Sequence, residues 1–174
     1  MLEFIAARGS ASFLQTPAWA RVKSEWRGER VGFYDGDELT GVGLILYRKL
    51  PKLPRYLAYL PEGPVLDWSR DDIAEHFDAL VTHVKKRQAF AVRIGPAVVH
   101  RIWGTKTIKT AIADDNITSL TEVEPDIVTP EGEHVVSVLK QGGWITDETG
   151  HGFAAGQPQL TAADQQQTRD RFRQ

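Results

Sequence analysis

Tyr56-Leu57-Ala58-Tyr59-Leu60-Pro61-Glu62-Gly63-Pro64-Val65-Leu66-Asp67 is the stretch on which the fold turns. Its first five residues predict a short buried strand, and Pro61 to Asp67 predicts a stiff loop. Pro61 and Pro64 fix φ and remove two backbone donors. Gly63 stands before Pro64, where helical geometry is disfavoured. A strand that runs into a stiff loop ending in a carboxylate can present a site at its C-terminal end. The alternative is a turn that ends in a helix cap.

Working outward, each flank supplies secondary structure to pair or pack with this strand. Upstream, Arg30–Tyr34 and Leu39–Leu50 read as strands joined by the turn Asp35-Gly36-Asp37-Glu38. Val42, Leu44 and Leu46 fall on one side of the second strand, Ile45 and Tyr47 on the other, which predicts a central position. Three successive strands predict an antiparallel meander. Downstream, Ile73, Phe77, Leu80 and Val84 repeat at the spacing of one buried helical face, so a helix is expected over Arg70–Lys86. Ser69 and Asp72 resemble a capping box. Phe90–Ile94 is the next strand. A helix between strands implies a crossover, and therefore a mixed sheet.

The ends are less regular. Leu2–Ala6 suggests a short strand. Thr16 and Pro17 suit the N-cap and first position of a helix that carries Trp19, Val22 and Trp26 on one face and stops at Gly28. Thr105–Ile112 fits either a helix or a loop. A helix is expected from Pro130 to Gly142-Gly143, with Val135, Val138 and Leu139 inward and Trp144-Ile145 as a hydrophobic return. His151–Gln159 is glycine-rich and suits a strand or a loop. From Gln157 to Gln174 there are six glutamines, which marks either a polar tail or the start of a further segment.

Composition bounds the chemistry. The 174 residues carry a formal net charge of −2 and no cysteine, which excludes disulfides, thiolate nucleophiles and cysteine metal sites. No apolar run approaches a membrane span, and the N-terminus does not read as a signal peptide. The five histidines form no close ligand pair, so no metal is expected. There is no phosphate-binding loop of the nucleoside triphosphatases and no nucleophile elbow. Charge is unevenly placed: Lys85–Lys109 holds seven basic residues and no acidic one, and Thr110–His134 holds seven acidic residues and no Lys or Arg. Such a pair of runs makes either two solvated faces or a phosphate-attracting patch. Asp67 is suited to accept a proton, to orient an amine, or to cap the next helix. Lys23 is suited to a phosphate or to solvent, its stem covering Trp19. Arg48, Lys49, Lys52 and Arg55 frame an anion or form a charged connector.

Two motifs in order carry a family resemblance. Ser12-Phe13-Leu14-Gln15-Thr16-Pro17-Ala18-Trp19-Ala20-Arg21-Val22-Lys23 resembles the opening helix of the Fem peptidyltransferases, the FemABX family of peptidoglycan bridge-forming enzymes. Tyr59-Leu60-Pro61-Glu62-Gly63-Pro64-Val65-Leu66-Asp67 resembles their Tyr-x-Pro-Arg-Gly-Pro-Val-x-Asp signature. Leu139-Lys140-Gln141-Gly142-Gly143-Trp144 and Gly156-Gln157-Pro158 are similar to two later landmarks. The resemblance implies an acetyltransferase (GNAT)-like α/β (α+β) fold with a mixed, largely antiparallel sheet flanked by helices. It implies residues 1–156 as the first of two such domains and 157–174 as a polar tail or the start of the second.

The implied reaction moves an amino acid from aminoacyl-tRNA to an amine of the peptidoglycan stem peptide, on lipid II or its UDP-linked precursor, without a cofactor. Lys23 would contact acceptor phosphate, Asp67 and Tyr59 would lie at the acceptor site, and Arg48 and Arg55 would frame the anion. The basic residues Lys85, Lys86, Arg101, Lys106 and Lys109 would attract tRNA. The implied location is cytoplasmic, peripheral at the inner face of the membrane, and the face open to a missing half suggests a homodimer. Glu62 departs from the signature, reversing a charge beside the acceptor site. The rival readings are a non-catalytic precursor-binding domain, an acyl-CoA-dependent acetyltransferase and a purely structural domain. Against the acetyltransferase, no pyrophosphate loop opens a helix.

Overall fold

A computed structural model describes residues 1–8 and 11–145. The residues fall into two compact units, Met1–Val98 and a second that begins at Val99. The glycine-rich stretch at His151–Gln159, the Gly156-Gln157-Pro158 landmark, the domain end at 156 and the polar segment 157–174 lie outside the described residues.

The first unit is built around one long strand. β1 (Arg27–Asp35) and β2 (Glu38–Lys49) form an antiparallel hairpin. On its other edge β2 has two short antiparallel partners. β3 (Tyr56–Leu60) pairs with Leu46–Lys49, and β4 (Val65–Leu66) pairs with Gly41–Val42. The loop expected over Pro61–Asp67 thus contains a two-residue strand. β5 (Ala89–Ile94) runs parallel to β3, with Tyr59 beside Arg93, which makes the sheet mixed. The central placement of β2 is confirmed on both faces: Val42, Leu44, Ile45, Leu46 and Tyr47 are all buried.

Alternation along the strands separates two faces. Ile45, Tyr47, Ala58 and Leu60 face one way. There α3 (Ile73–Lys86) buries Ile73, Phe77, Leu80 and Val84. Each of these larger side chains is worth about 1.5–3 kcal/mol of transfer free energy. The C-terminal end of α3 is tied to this face through Glu29. Its carboxylate accepts from Arg87 Nη2 at 2.7 Å and from Tyr47 Oη at 2.8 Å, and His83 Nε2 stands 3.3 Å away. Burial opposes the Glu29 charge, but Arg87, Tyr47 and His83 outweigh it and hold the carboxyl at about 2. The same contact, added to burial, pushes the Tyr47 phenol well above the usual tyrosine range.

Several local expectations are corrected. Leu2–Ala6 is a helix, α1, closed by i→i−4 bonds from Ile5 to Met1 and Ala7 to Glu3, with Arg8 stacked over Phe4. A lone segment satisfies its own backbone as a helix, whereas a strand needs a partner edge. A 3₁₀ turn (Phe13–Gln15) and α2 (Pro17–Val22) follow, the latter with Thr16 at the N-cap and Pro17 at the first position. α2 ends at Val22, not at Gly28. Val22 is exposed, and Trp26 is off the helix, so the three residues expected on one helical face do not share it. Gly28 is inside β1, opposite Leu46. Its role is close approach: a Cβ there would stand 2.9 Å from the Ala20 Cβ.

α3 begins at Ile73 with Asp72 at the N-cap, so neither the capping box nor a cap by Asp67 forms. Asp72 instead grips Arg70 at 2.7 and 2.6 Å, and Ser69 turns back to Asp67.

In the second unit, β6 (Arg101–Ile102) and β7 (Ile127–Val128) form a two-stranded antiparallel ladder. The ambiguous segment is a helix, α4 (Thr105–Ile112). Its start is held from the residue before β7: Asp126 accepts from Gly104 N at 2.5 Å and Thr107 Oγ1 at 2.8 Å. α5 (Pro130–Gln141) has Thr129 as its N-cap, with the Thr129 side chain accepting from Gly132 N and donating to Val99 O. Val135 is buried, while Val138 and Leu139 are only partly so. Trp144 N reaches Leu139 O, but Ile145 is 94% exposed, so the hydrophobic return does not extend to it.

Because the folded Glu29 carboxyl lies below its unfolded value of about 4.3, its stabilisation is complete above that pH. It is lost as pH falls toward about 2. Glu29→Gln is expected to lower the urea midpoint at neutral pH, with the difference from wild type shrinking across that acidic window.

Candidate functional site

The sheet face opposite α3 carries Leu46, Arg48, Tyr59 and Arg93, as the register requires. Across it runs the segment that leaves α2. Lys23 caps that helix outside helical geometry (φ −92°, ψ 49°) and its carbonyl accepts from Trp26 N at 2.9 Å. That tight turn lays Trp26 over the strand ends. The Trp26 and Tyr59 rings are 6.3 Å apart at their centroids. The Arg48 guanidinium lies 5.6 Å from the Trp26 ring, and that of Arg93 lies 6.0 Å from the Tyr59 ring. Lys23 Nζ is 5.5 Å from the Trp19 ring. The result is two aromatic plates, Trp26 and Tyr59, edged by two arginines on one partly exposed surface, with Lys23 against Trp19 at the head of the same segment.

Such an arrangement suits an anion attached to an apolar or planar group. The rings restrict the arginines, and cations over aromatic faces keep their charge while giving up little hydration. Burial raises the Tyr59 phenol, Arg93 works against that, and Glu62 adds to it. Tyr59 therefore stays neutral and able to donate. Glu62 sits at φ +47°, partly exposed, in the turn after β3. It brings a negative charge close enough to act on Tyr59.

The other candidates lie elsewhere. Arg55 precedes β3 and its carbonyl accepts from Leu50 N; Tyr59 is four positions farther on, about 13 Å along the strand. Asp67 follows β4. Measured along β2 from the partner of Tyr59 to the partner of Leu66, the offset is five residues, about 17 Å. Asp67 is exposed and accepts from Ser69 Oγ at 2.7 Å and Ser69 N at 3.2 Å. Those bonds outweigh its slight desolvation, and with Arg8 and Arg70 nearby they hold its carboxyl below the usual range. It is thus a fixed acceptor and a weak base. Lys85 and Lys86 are exposed on the last turn of α3, whereas Arg101 is in β6 and Lys106 and Lys109 are on α4 of the second unit. The basic run in the sequence is therefore divided between units. Among the described residues no group of three or more His, Asp or Glu is placed to hold a metal, and no helix is long and apolar enough to cross a membrane.

Two members of the aromatic surface are not evident from the sequence. Trp26 reads as a helix-face residue, and Arg93 reads as one of a run of cations. The signal for Arg93 is the parallel register with Tyr59, which depends on a crossover.

The FemAB family model matches residues 2–124. The chain belongs to the FemAB family. Lipid II:glycine glycyltransferase of Staphylococcus saprophyticus is 34% identical over 98 residues, 55% of this chain and 24% of that protein. The Staphylococcus haemolyticus enzyme of the same name is 35% identical over 98 residues, covering 55% and 23%. The matched region is thus about a quarter of these curated relatives. A crystal structure of FemX superposes with a TM-score of 0.52 at 24% identity, covering 80% of this chain and 28% of that one. That likeness establishes the fold: this FemAB chain has the mixed sheet flanked by helices that the Fem resemblance implies.

Trp26 shields one side of Tyr59. Trp26→Ala is expected to bring the Tyr59 phenol back toward the ordinary tyrosine range, read as a lower-pH component in an alkaline ultraviolet titration. Tyr59→Phe should delete that component.

Proposed function

We propose that this chain supplies the acceptor-binding part of an aminoacyltransferase. In this reading, an amine of a peptidoglycan precursor takes the amino acid from aminoacyl-tRNA. The observation that carries it is the surface of Trp26, Arg48, Tyr59 and Arg93, with Lys23 three residues before Trp26 on the same segment, all within the region matched by the family model. The names of the staphylococcal relatives supply the reaction class.

In this reading Lys23 and the two arginines hold the pyrophosphate of the acceptor, and the rings flank the groups attached to it. Asp67 takes the other end. An extended five-residue peptide spans at most about 18 Å, of the order of the offset along β2 between the partners of Tyr59 and of Leu66, the residue before Asp67. A stem peptide laid along that direction would bring an ammonium toward the fixed carboxylate. Asp67 then orients the amine rather than deprotonating it, in keeping with its lowered pKa. The ammonium first gives up a proton to solvent; the amine then attacks the ester carbonyl, the C–N bond forms, the ester C–O bond breaks, and the tRNA hydroxyl leaves with a second proton from the nitrogen. The ester is already activated, so the chemistry rests on placing the two reactants and stabilising the oxyanion. Lys85, Lys86, Arg101, Lys106 and Lys109 are the proposed contacts for the tRNA backbone.

Glu62 gives this site a different charge balance from one with arginine at that position. We propose that it disfavours a second anionic group near Tyr59, and so narrows the range of acceptors.

An NMR titration of the 174-residue chain with UDP-linked muramyl pentapeptide tests the reading. Saturable shifts at Trp26, Arg48, Tyr59 and Arg93 are expected, with affinity about tenfold lower in Lys23→Ala, the scale of one charge-assisted contact. Absence of saturable shifts at these residues, or an affinity untouched by Lys23→Ala, overturns it.

A further inference from the structure

β2 is longer than either partner on its second edge. β3 covers Leu46–Lys49 and β4 covers Gly41–Val42, leaving residues 43–45 between them. The gap is filled by a side chain. Gln15 is fully buried; its Oε1 accepts from Leu44 N at 2.8 Å and its Nε2 donates to Pro61 O at 2.5 Å. Leu44 N can only donate and Pro61 O can only accept, so the orientation of the amide is determined. The carboxamide replaces one peptide unit of the missing strand.

The two ends of this bridge belong to the two segments that make the candidate site. Gln15 closes the 3₁₀ turn and stands next to Thr16, the N-cap of the helix that ends at Lys23. Pro61 lies two residues after Tyr59 and next to Glu62. The turn around Gln15 is itself locked: Leu14 N donates to Ser12 Oγ, and Thr16 donates to Phe13 O through both N and Oγ1. The loop is shaped to the amide, since a Cβ on Gly63 would fall 2.3 Å from the Gln15 Cδ. Gly63 O in turn accepts from Gly95 N, just past β5 and Arg93. Farther along, Ala20 rests on Gly28 of β1, giving the segment a second fixed point before Lys23.

We propose that Gln15 is a positioning residue, its carboxamide setting the placement of the Lys23–Trp26 segment against Tyr59 and the turn at Glu62. A side chain that merely filled the gap would leave Leu44 N–H and Pro61 C=O unpaired in a buried place. An amide satisfies both at one separation. The functional consequence rests on the reading of this surface as the acceptor site; the geometric claim does not.

Gln15→Glu tests it with a near-isosteric change. One carboxylate oxygen still faces Leu44 N–H, but the other meets the Pro61 carbonyl, a contact that becomes favourable only when that oxygen carries a proton. NMR of the 174-residue chain reads the Trp26–Tyr59 ring NOE. At about pH 7.5 the NOE is expected to fall to about half or less, with the Ala58 and Leu46 amide shifts retained. At about pH 5 it should recover, because burial raises the pKa of the introduced carboxyl. An NOE equal to wild type at the higher pH overturns the proposal.

Should this variant fail to fold, Gly63→Ala presses on the same amide from the loop side. It should weaken the NOE, and Gln15→Ala added to it should give some of the loss back. No effect of Gly63→Ala likewise overturns the proposal. UDP-linked muramyl pentapeptide, titrated into the same samples, keeps the two readings apart. Binding about tenfold weaker in Gln15→Glu at the higher pH is expected. A wild type that binds nothing removes the acceptor reading, while the NOE still decides Gln15.

Discussion

The Gln15 carboxamide between Leu44 N and Pro61 O joins parts of the first unit that the chain alone would leave separate. A twelve-residue strand offers more edge than two short partners can use. The unpaired stretch would expose backbone groups inside the protein, where each costs about 1–3 kcal/mol if unmet. One amide meets this need and couples the N-terminal turn to the loop after β3. The residues argued to bind ligand hang from these two segments.

The sheet then sorts its side chains by parity. On one face, apolar side chains and the Glu29 cluster receive α3, and most of the burial is there. On the other face, Arg48, Tyr59 and Arg93 are left for the short segment from Lys23 to Trp26 to cover in part. A surface of arginines and rings is stable without a partner, since the rings orient the cations while solvent still reaches their heads. It is also suited to a phosphate-bearing ligand. That face also buries Val42, Leu44 and Leu46, so core packing and the candidate surface lie side by side on it.

Glu62 and Asp67 show how one loop serves two positions. The turn after β3 holds Glu62 beside Tyr59, and β4 carries the chain back along β2 before Asp67 emerges. Five residues separate the two in sequence, yet the return along β2 places Asp67 by Ser69, Arg8 and Arg70 instead of the aromatic surface. The departure at Glu62 thus acts on the aromatic surface, whereas Asp67 lies in a different neighbourhood.

The sequence by itself determined the meander, the crossover helix with its Ile73, Phe77, Leu80 and Val84 face, the central β2 and the family, because periodicity, turn residues and ordered motifs are local signals. It singled out Tyr59 only through the motifs. It did not show that Leu2–Ala6 is helical, that α2 stops at Val22, or that Gly28 is a contact within a strand, because each depends on which neighbour is within reach. Trp26 and Arg93 joined the aromatic surface through the turn at Lys23 and the parallel register of β5. Gln15 was part of a motif, but its buried role exists only once β3 and β4 leave a gap on one edge of β2. Such a gap arises from pairing between distant segments, and no local pattern of residues encodes it.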